Sequence, residues 1–240
     1  GQQRPVYALD LLGFGHSQKP GMLLGANVWQ AQGHDFWQPV IRQPVILLGH
    51  SLGALGALTA TAQHPAMTHR LILPTLPLAR QELVAGWLDR LARGVESLVA
   101  TPLLLRPLFL VVRRPGFIRK ALTSIYQTPE RVDDQLVDLF TRPALERGAA
   151  RTLCYLVKSR TQAEFSDSTA NLLQRVSAPI LLLWGTQDRV LPTAWADQIL
   201  SSSPAITYRA IEGAGHCLYD EVPGVIDREI QRWLSSLDQI

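Results

Sequence analysis

The apolar run Pro44-Val45-Ile46-Leu47-Leu48 leads straight into Gly49-His50-Ser51-Leu52-Gly53, which leads in turn into the small-residue, helix-period segment Ala54 to Ala62. A strand delivered into a helix with a serine at the corner requires a sharp turn. Such a turn holds the serine backbone in a strained conformation, and the reading predicts that side chains at Gly49 and Gly53 would collide with strand and helix. The G-x-S-x-G spacing alone says little, since roughly one chain in ten of this length would hold it by chance at average glycine usage. Its position between a strand and a helix is what constrains the fold.

The rest of the chain alternates in the same way. Strands are predicted at Val6 to Asp10, Pro44 to Gly49, Arg70 to Leu73, Ile180 to Trp184 and Ile206 to Ile211. Helices are predicted at Trp29 to Gln38, Leu52 to Gln63 and, at the end, around Val225 to Leu237. This is the grammar of an α/β fold with a mostly parallel sheet flanked by helices. From about Leu76 to Val176 the strand signal disappears, which predicts a helical insertion over 76–176 within one domain of 1–240. Thr128-Pro129-Glu130 reads as a helix start inside it.

Two later turns supply what a serine nucleophile lacks. Ile180-Leu181-Leu182-Leu183-Trp184-Gly185-Thr186-Gln187-Asp188 is a buried-strand run that ends in a turn presenting a carboxylate, and Ile211-Glu212-Gly213-Ala214-Gly215-His216 is a strand end presenting an imidazole. Singly, Ser51 reads as a buried strand-end serine, Asp188 as a turn former and His216 as a loop histidine. In the order Ser, Asp, His, and in this context, they point to a triad. With Asp10-Leu11-Leu12-Gly13-Phe14-Gly15-His16-Ser17 and the loop Gly185 to Pro192, the chain resembles the α/β-hydrolase family over nearly all its length. The resemblance implies Ser51 as nucleophile, Asp188 as acid and His216 as base, acting on a carboxylic ester through an acyl-enzyme with no metal and no cofactor. It also implies that the backbone N–H of Leu52 is one oxyanion donor.

The family's second oxyanion donor stands in a His-Gly-type loop after its third strand, and residues 1 to 5 hold no such motif. The resemblance therefore leads us to expect a chain that begins in mid-domain, lacking the strand that lies between Val6 to Asp10 and Pro44 to Gly49. Either a gap opens in the sheet or those two strands close up. The insertion sits where the family carries a cap over the active site.

A content of 47% hydrophobic residues supports one sizeable core, and a net charge of +3 without Lys/Arg runs or aromatic-basic interleaving argues against a nucleic-acid partner. Cys154 and Cys217 stand in no metal-binding or redox spacing. No apolar span of about 20 residues is visible. The expected location is cytoplasmic or peripheral to a membrane.

Substrate class rests on the insertion. From Ser97 to Lys120 there is no acidic residue, while Leu103, Leu104, Leu105, Leu108, Phe109, Leu110, Val111 and Val112 surround Arg106, Arg113, Arg114, Arg119 and Lys120. Such a segment suits a lipid-like ester or contact with an anionic membrane, or else simply packs onto the main domain with a solvated basic face. His50, Leu105 and Phe109 are the substrate-wall candidates, and His16 is a further pocket candidate. Asp10 is an alternative acid by its residue type, but the resemblance implies that it supports the Gly13-Phe14-Gly15 turn, and Asp220 and Glu221 read as openers of the final helix.

A narrower resemblance, to the pheophytinase and chlorophyll dephytylase branch, rests on Gly215-His216-Cys217-Leu218-Tyr219-Asp220-Glu221-Val222-Pro223 and on Asp10 to Pro20. It implies a phytyl-type ester. The alternatives left open are a C–C bond hydrolase, a thioesterase or a cofactor-free haloperoxidase with the same triad, and an inactive fragment or binding protein.

Overall fold

The computed structural model describes residues 4–83, 101–203 and 205–238. Strands β1 (Val45–Leu48), β2 (Thr68–Pro74), β3 (Ile180–Gly185) and β4 (Ile206–Ile211) form one parallel sheet in the order β1-β2-β3-β4. Parallel neighbours need a crossover, and helices supply it. In chain order the helices are α1 (Ala26–Val40), α2 (Leu52–Gln63), α3 (Arg80–Leu83), α4 (Pro102–Val112), α5 (Pro115–Ile125), α6 (Asp134–Leu145), α7 (Ala149–Arg160), α8 (Thr169–Gln174), α9 (Ala194–Ser202), α10 (Leu218–Glu221) and α11 (Pro223–Leu237). Helix α2 links β1 to β2, α9 links β3 to β4, and α3 to α8 all fall between β2 and β3.

The two-residue period of the strands divides the core into two faces. Leu71, Leu73, Ile180, Leu182 and Trp184 meet Leu55 and Leu58 of α2, Leu172 and Leu173 of α8, and Ile199 of α9. Ile72, Leu181, Leu183 and Ile211 meet Ile226 and Trp233 of α11. Every residue of β3 is buried, so its unbroken apolar run is that of a central strand covered on both faces.

The predicted strand Val6 to Asp10 does not form. Its residues are exposed and have no regular secondary structure, and among the described residues no strand pairs with the outer edge of β1, where Leu48 is exposed. A strand exists only with a ladder partner, and this segment lies instead along α1. The Gln32 side chain donates to the Asp10 carbonyl (3.0 Å) and accepts from the Leu12 N–H (2.8 Å), while the Tyr7 and Phe36 rings meet edge on. The expected close-up of two strands is therefore absent. Pro129–Arg131 is one turn of 3₁₀ helix with no bond from the Thr128 hydroxyl, and the long helix starts later, where Asp133 caps it by accepting from the Leu136 N–H (2.8 Å). Residues 84–100 of the insertion, including 97–100 of its acid-free stretch, lie outside the described residues.

The corner between β1 and α2 separates the two glycines that the sequence pairs. A Cβ at Gly49 would stand 2.2 Å from the Gly53 carbonyl oxygen and 2.9 Å from the Ala54 nitrogen, so the start of α2 can pass there only over a glycine. A Cβ at Gly53 would meet nothing within 4 Å. The collision expected at Gly53 is corrected accordingly: it faces open space. Gly49→Ala is expected to cost about 3 kcal/mol or more, as an overpacked site that backbone must yield to. Gly53→Ala, in the first turn of a helix, should be neutral or stabilising by up to about 1 kcal/mol. Urea melts of the two variants check the contrast.

Candidate active site

Ser51 occupies the corner with φ 53° and ψ −119°, a conformation that costs a non-glycine residue energy and is held by its surroundings. Its N–H lies 3.1 Å from the Thr75 carbonyl and 3.3 Å from that of Pro74, and the Gly49 N–H donates to Ile72, so the end of β2 pins the turn from below. The Gly53 and Ala54 N–H groups are used by His50 and Ser51 carbonyls. The Leu52 N–H takes no acceptor among the described residues.

Asp188 and His216 are brought together by the close passage of the turns after β3 and β4. A Cβ at Gly185 would fall 2.3 Å from the Gly215 oxygen and 2.4 Å from that of Ala214. Its absence lets the Thr186 N–H donate to Ile211 and the Gln187 N–H to Ala214, each at 3.0 Å. Across this contact Nδ1 of His216 meets Oδ2 of Asp188 at 2.8 Å. The other carboxylate oxygen accepts from the N–H groups of Val190 (2.7 Å) and Leu191 (2.9 Å). The Asp188 side chain is fully enclosed. Burial pushes its carboxyl up, but the bonds from His216, Leu191 and Val190 outweigh that and hold it below the ordinary carboxylate value. An ionised acceptor at Nδ1 fixes the proton on that nitrogen and leaves Nε2 as the basic one.

His50 joins the serine corner to this pair. Its ring is 4.7 Å from that of His216, its Nε2 lies 2.9 Å from the His216 carbonyl oxygen, and Tyr219 packs on it edge first at 4.9 Å. Burial, with the neighbouring His216 adding to it, lowers its pKa to about 4, against the opposing pull of the carbonyl bond and of Asp188. Neutral His50 is therefore a donor, with Nε2–H given to the carbonyl.

Glu221 is a part of the site that the sequence did not signal. It is buried, with Oε1 accepting from the Gly215 N–H (3.2 Å) and Oε2 from those of Gln127 (2.7 Å) and Thr128 (3.3 Å). Beside it Asp220 accepts from the Tyr126 hydroxyl (2.7 Å). Both acids thus tie the His216 loop to the end of α5, and neither opens the final helix. Pro223 stands at the first position of α11, whose first turn has no acid.

Leu105 and Phe109 are buried on the inner side of α4, Leu105 against Cys154 and Val157 of α7. His16 lies on the surface, where it and Lys19 meet Glu146 at 3.0 and 2.9 Å, and not in the site. Asp10 supports its turn by accepting from the His16 N–H (2.8 Å), and Gly15 leaves room for that carboxylate. Cys154 and Cys217 are buried free thiols, and burial raises Cys217 to about 11. Among the described residues no His, Cys, Asp and Glu cluster has an arrangement that could hold a metal.

The family model described as "Alpha/beta hydrolase family" matches residues 1–228. Among curated relatives, the chain is 25% identical to the chloroplastic pheophytinase of Arabidopsis thaliana, an alignment covering 94% of this chain and 49% of that protein. It is 28% identical to the monoglyceride lipase of Rattus norvegicus, over 95% of this chain and 74% of the lipase. Among solved structures, a membrane phospholipase A described as a bacterial virulence factor superposes with a TM-score of 0.70 at 23% identity, covering 96% of this chain and 70% of the other.

Because the folded-state pKa of His50 lies below its unfolded value near 6.5, the unfolded chain binds a proton that the folded one refuses between those two values. Stability supplied by neutral His50 is full above about pH 6.5 and is lost as pH falls toward about 4. The thermal midpoint should fall over that window, and His50→Gln, which keeps a donor but does not titrate, should flatten the fall. Replacing Glu221 by Gln puts an amide NH₂ among three N–H donors. It is expected to cost about 1–3 kcal/mol in urea melts, whereas Glu212→Gln on the exposed side of the same loop should cost little.

Proposed function

We propose that this chain, which belongs to the alpha/beta hydrolase family, is a serine hydrolase that cleaves a carboxylic ester with a large hydrophobic part. The observation that carries the reading is the pairing of an enclosed, hydrogen-bonded Asp188 with Nδ1 of His216, on a loop that His50 joins to the corner where Ser51 stands at positive φ. That is the equipment for general-base activation of a hydroxyl.

In this mechanism the Ser51 hydroxyl oxygen attacks the ester carbonyl carbon while Nε2 of His216 takes its proton. Asp188 stabilises the imidazolium without itself becoming protonated, and the free N–H of Leu52 donates to the developing oxyanion. Collapse expels the alcohol, which takes the proton from His216 and leaves an acyl-Ser51. Water, deprotonated by the same imidazole, then releases the acid. His50, by holding the His216 carbonyl, fixes the backbone from which the base projects.

Support for an ester with a long hydrocarbon part comes from relatives named for such substrates, pheophytinase and monoglyceride lipase. A phytyl-type ester is the narrowest form of the reading. It rests on the segment Gly215 to Pro223 and on the pheophytinase likeness.

A fluorophosphonate probe should label the chain at Ser51 and leave Ser51→Ala unlabelled. Asp188→Asn should lower ester turnover by about 10³ to 10⁴, and its loss should not add to that of His216→Ala. Mass spectrometry of the labelled peptide and turnover on a series of esters from acetyl to phytyl check both. Labelling at another serine, or near-normal activity of Asp188→Asn, overturns the assignment.

A further inference from the structure

Helix α4 is apolar on more sides than its packing uses. Leu105 and Phe109 turn inward, but Leu103 is 84% exposed and Leu104, Leu108, Leu110 and Val111 are 47% to 53% exposed. At 3.6 residues per turn these five side chains cover an arc of roughly 160°, with Arg106 at its margin. Water-facing arcs of surface helices are ordinarily polar, and isolated exposed leucines are common where five on one face are not. Beyond the turn into α5, Phe117 is exposed as well.

The charged residues of α4, α5 and the turn between them are all basic. Arg106, Arg114 and Lys120 are exposed and Arg113 is partly so, and none of the four makes an ion pair among the described residues. Arg119 is occupied, donating to the Val132 carbonyl (2.7 Å) and to Asp134. No acid falls between Ser97 and Lys120. An apolar arc rimmed by cations that make no ion pair among the described residues is complementary to a surface with hydrocarbon beneath and phosphate above. Guanidinium groups at its edge reach the headgroups while the leucines enter the acyl boundary. A second copy of the chain is a poorer match, because a two-fold contact sets the two cationic rims against each other.

We propose that the outer face of α4, with its junction to α5, is a docking surface for an anionic lipid bilayer. The helix lies in the interface plane. At 11 residues it is too short to cross, and no described helix is long and apolar enough to do so. The proposal is separate from the hydrolase reading, since docking is measured without turnover.

The test is cosedimentation of the full 240-residue chain with vesicles of phosphatidylcholine alone and of phosphatidylcholine mixed with phosphatidylglycerol. Binding is expected to the mixed vesicles, at least tenfold weaker to phosphatidylcholine alone and weakened by salt. Leu104→Glu and Leu108→Glu should each weaken it tenfold or more with an unchanged thermal midpoint and unchanged hydrolysis of a water-soluble ester. Arg106→Glu combined with Arg114→Glu should abolish the lipid preference. Ser51→Ala should bind as well as the parent, so a failed hydrolase assignment leaves this result standing. The proposal is overturned if neither vesicle binds, if the leucine variants bind undiminished, or if light scattering shows a dimer that Leu104→Glu dissociates while vesicles stay unbound.

Discussion

A carboxylate taken wholly out of water must find donors for its oxygens, and the geometry around Asp188 follows from that requirement. Two donors are local, the N–H groups of Val190 and Leu191 in its own turn. The third is the imidazole of His216, which arrives only because the turns after β3 and β4 touch backbone to backbone over Gly185. Removing the imidazole would leave a buried charge short of a partner. The contact that orients His216 for its proposed role as base is thus also what makes the Asp188 turn tolerable.

The helical region between β2 and β3 is fastened to the sheet by the same physics, at two places. Glu82, at its beginning, accepts from the Ala79 N–H, from the Ser168 hydroxyl and from the N–H groups of Thr169 and Ala170, so it caps α8, the helix by which the chain returns to β3. Glu221 ties the end of α5 to Gly215, the residue before His216. One acid closes the insertion on itself where it leaves and re-enters the core. The other, together with Asp220 on the Tyr126 hydroxyl, ties the loop that carries His216 to the insertion, so the placement of His216 depends on α5.

What could be read from the sequence was local. The apolar runs that become β1 to β4, the length of α2, the helices of the described part of the insertion and the serine corner all follow from periodicity and turn chemistry, and the structure has them within a few residues. Glu221 could not be read, because an acid five residues after a histidine looks the same whether it caps a helix or is buried. Only the tertiary placement of Gln127 and Thr128 decides it. Val6 to Asp10 has the composition of a strand, yet strand formation is a property of a pair, and Gln32 and Phe36 on α1 give that segment other partners. Gly53 matches a motif without bearing its steric load, which falls on Gly49 alone.

His50 shows how a residue adjacent to the proposed nucleophile can act on the proposed base without proton transfer. Desolvation keeps it neutral, and the proposed mechanism needs that neutrality, since an imidazolium 4.7 Å from His216 would oppose the charge that His216 takes on there. Its N–H, given to the His216 carbonyl, then links the corner after β1 to the loop after β4. These elements stand on opposite edge strands of the four-stranded sheet, with β2 and β3 between them. The Ser51 corner and the His216 loop are therefore joined across the whole width of the sheet by the His50 hydrogen bond made beyond the strand ends, as well as by the strand ladders beneath it.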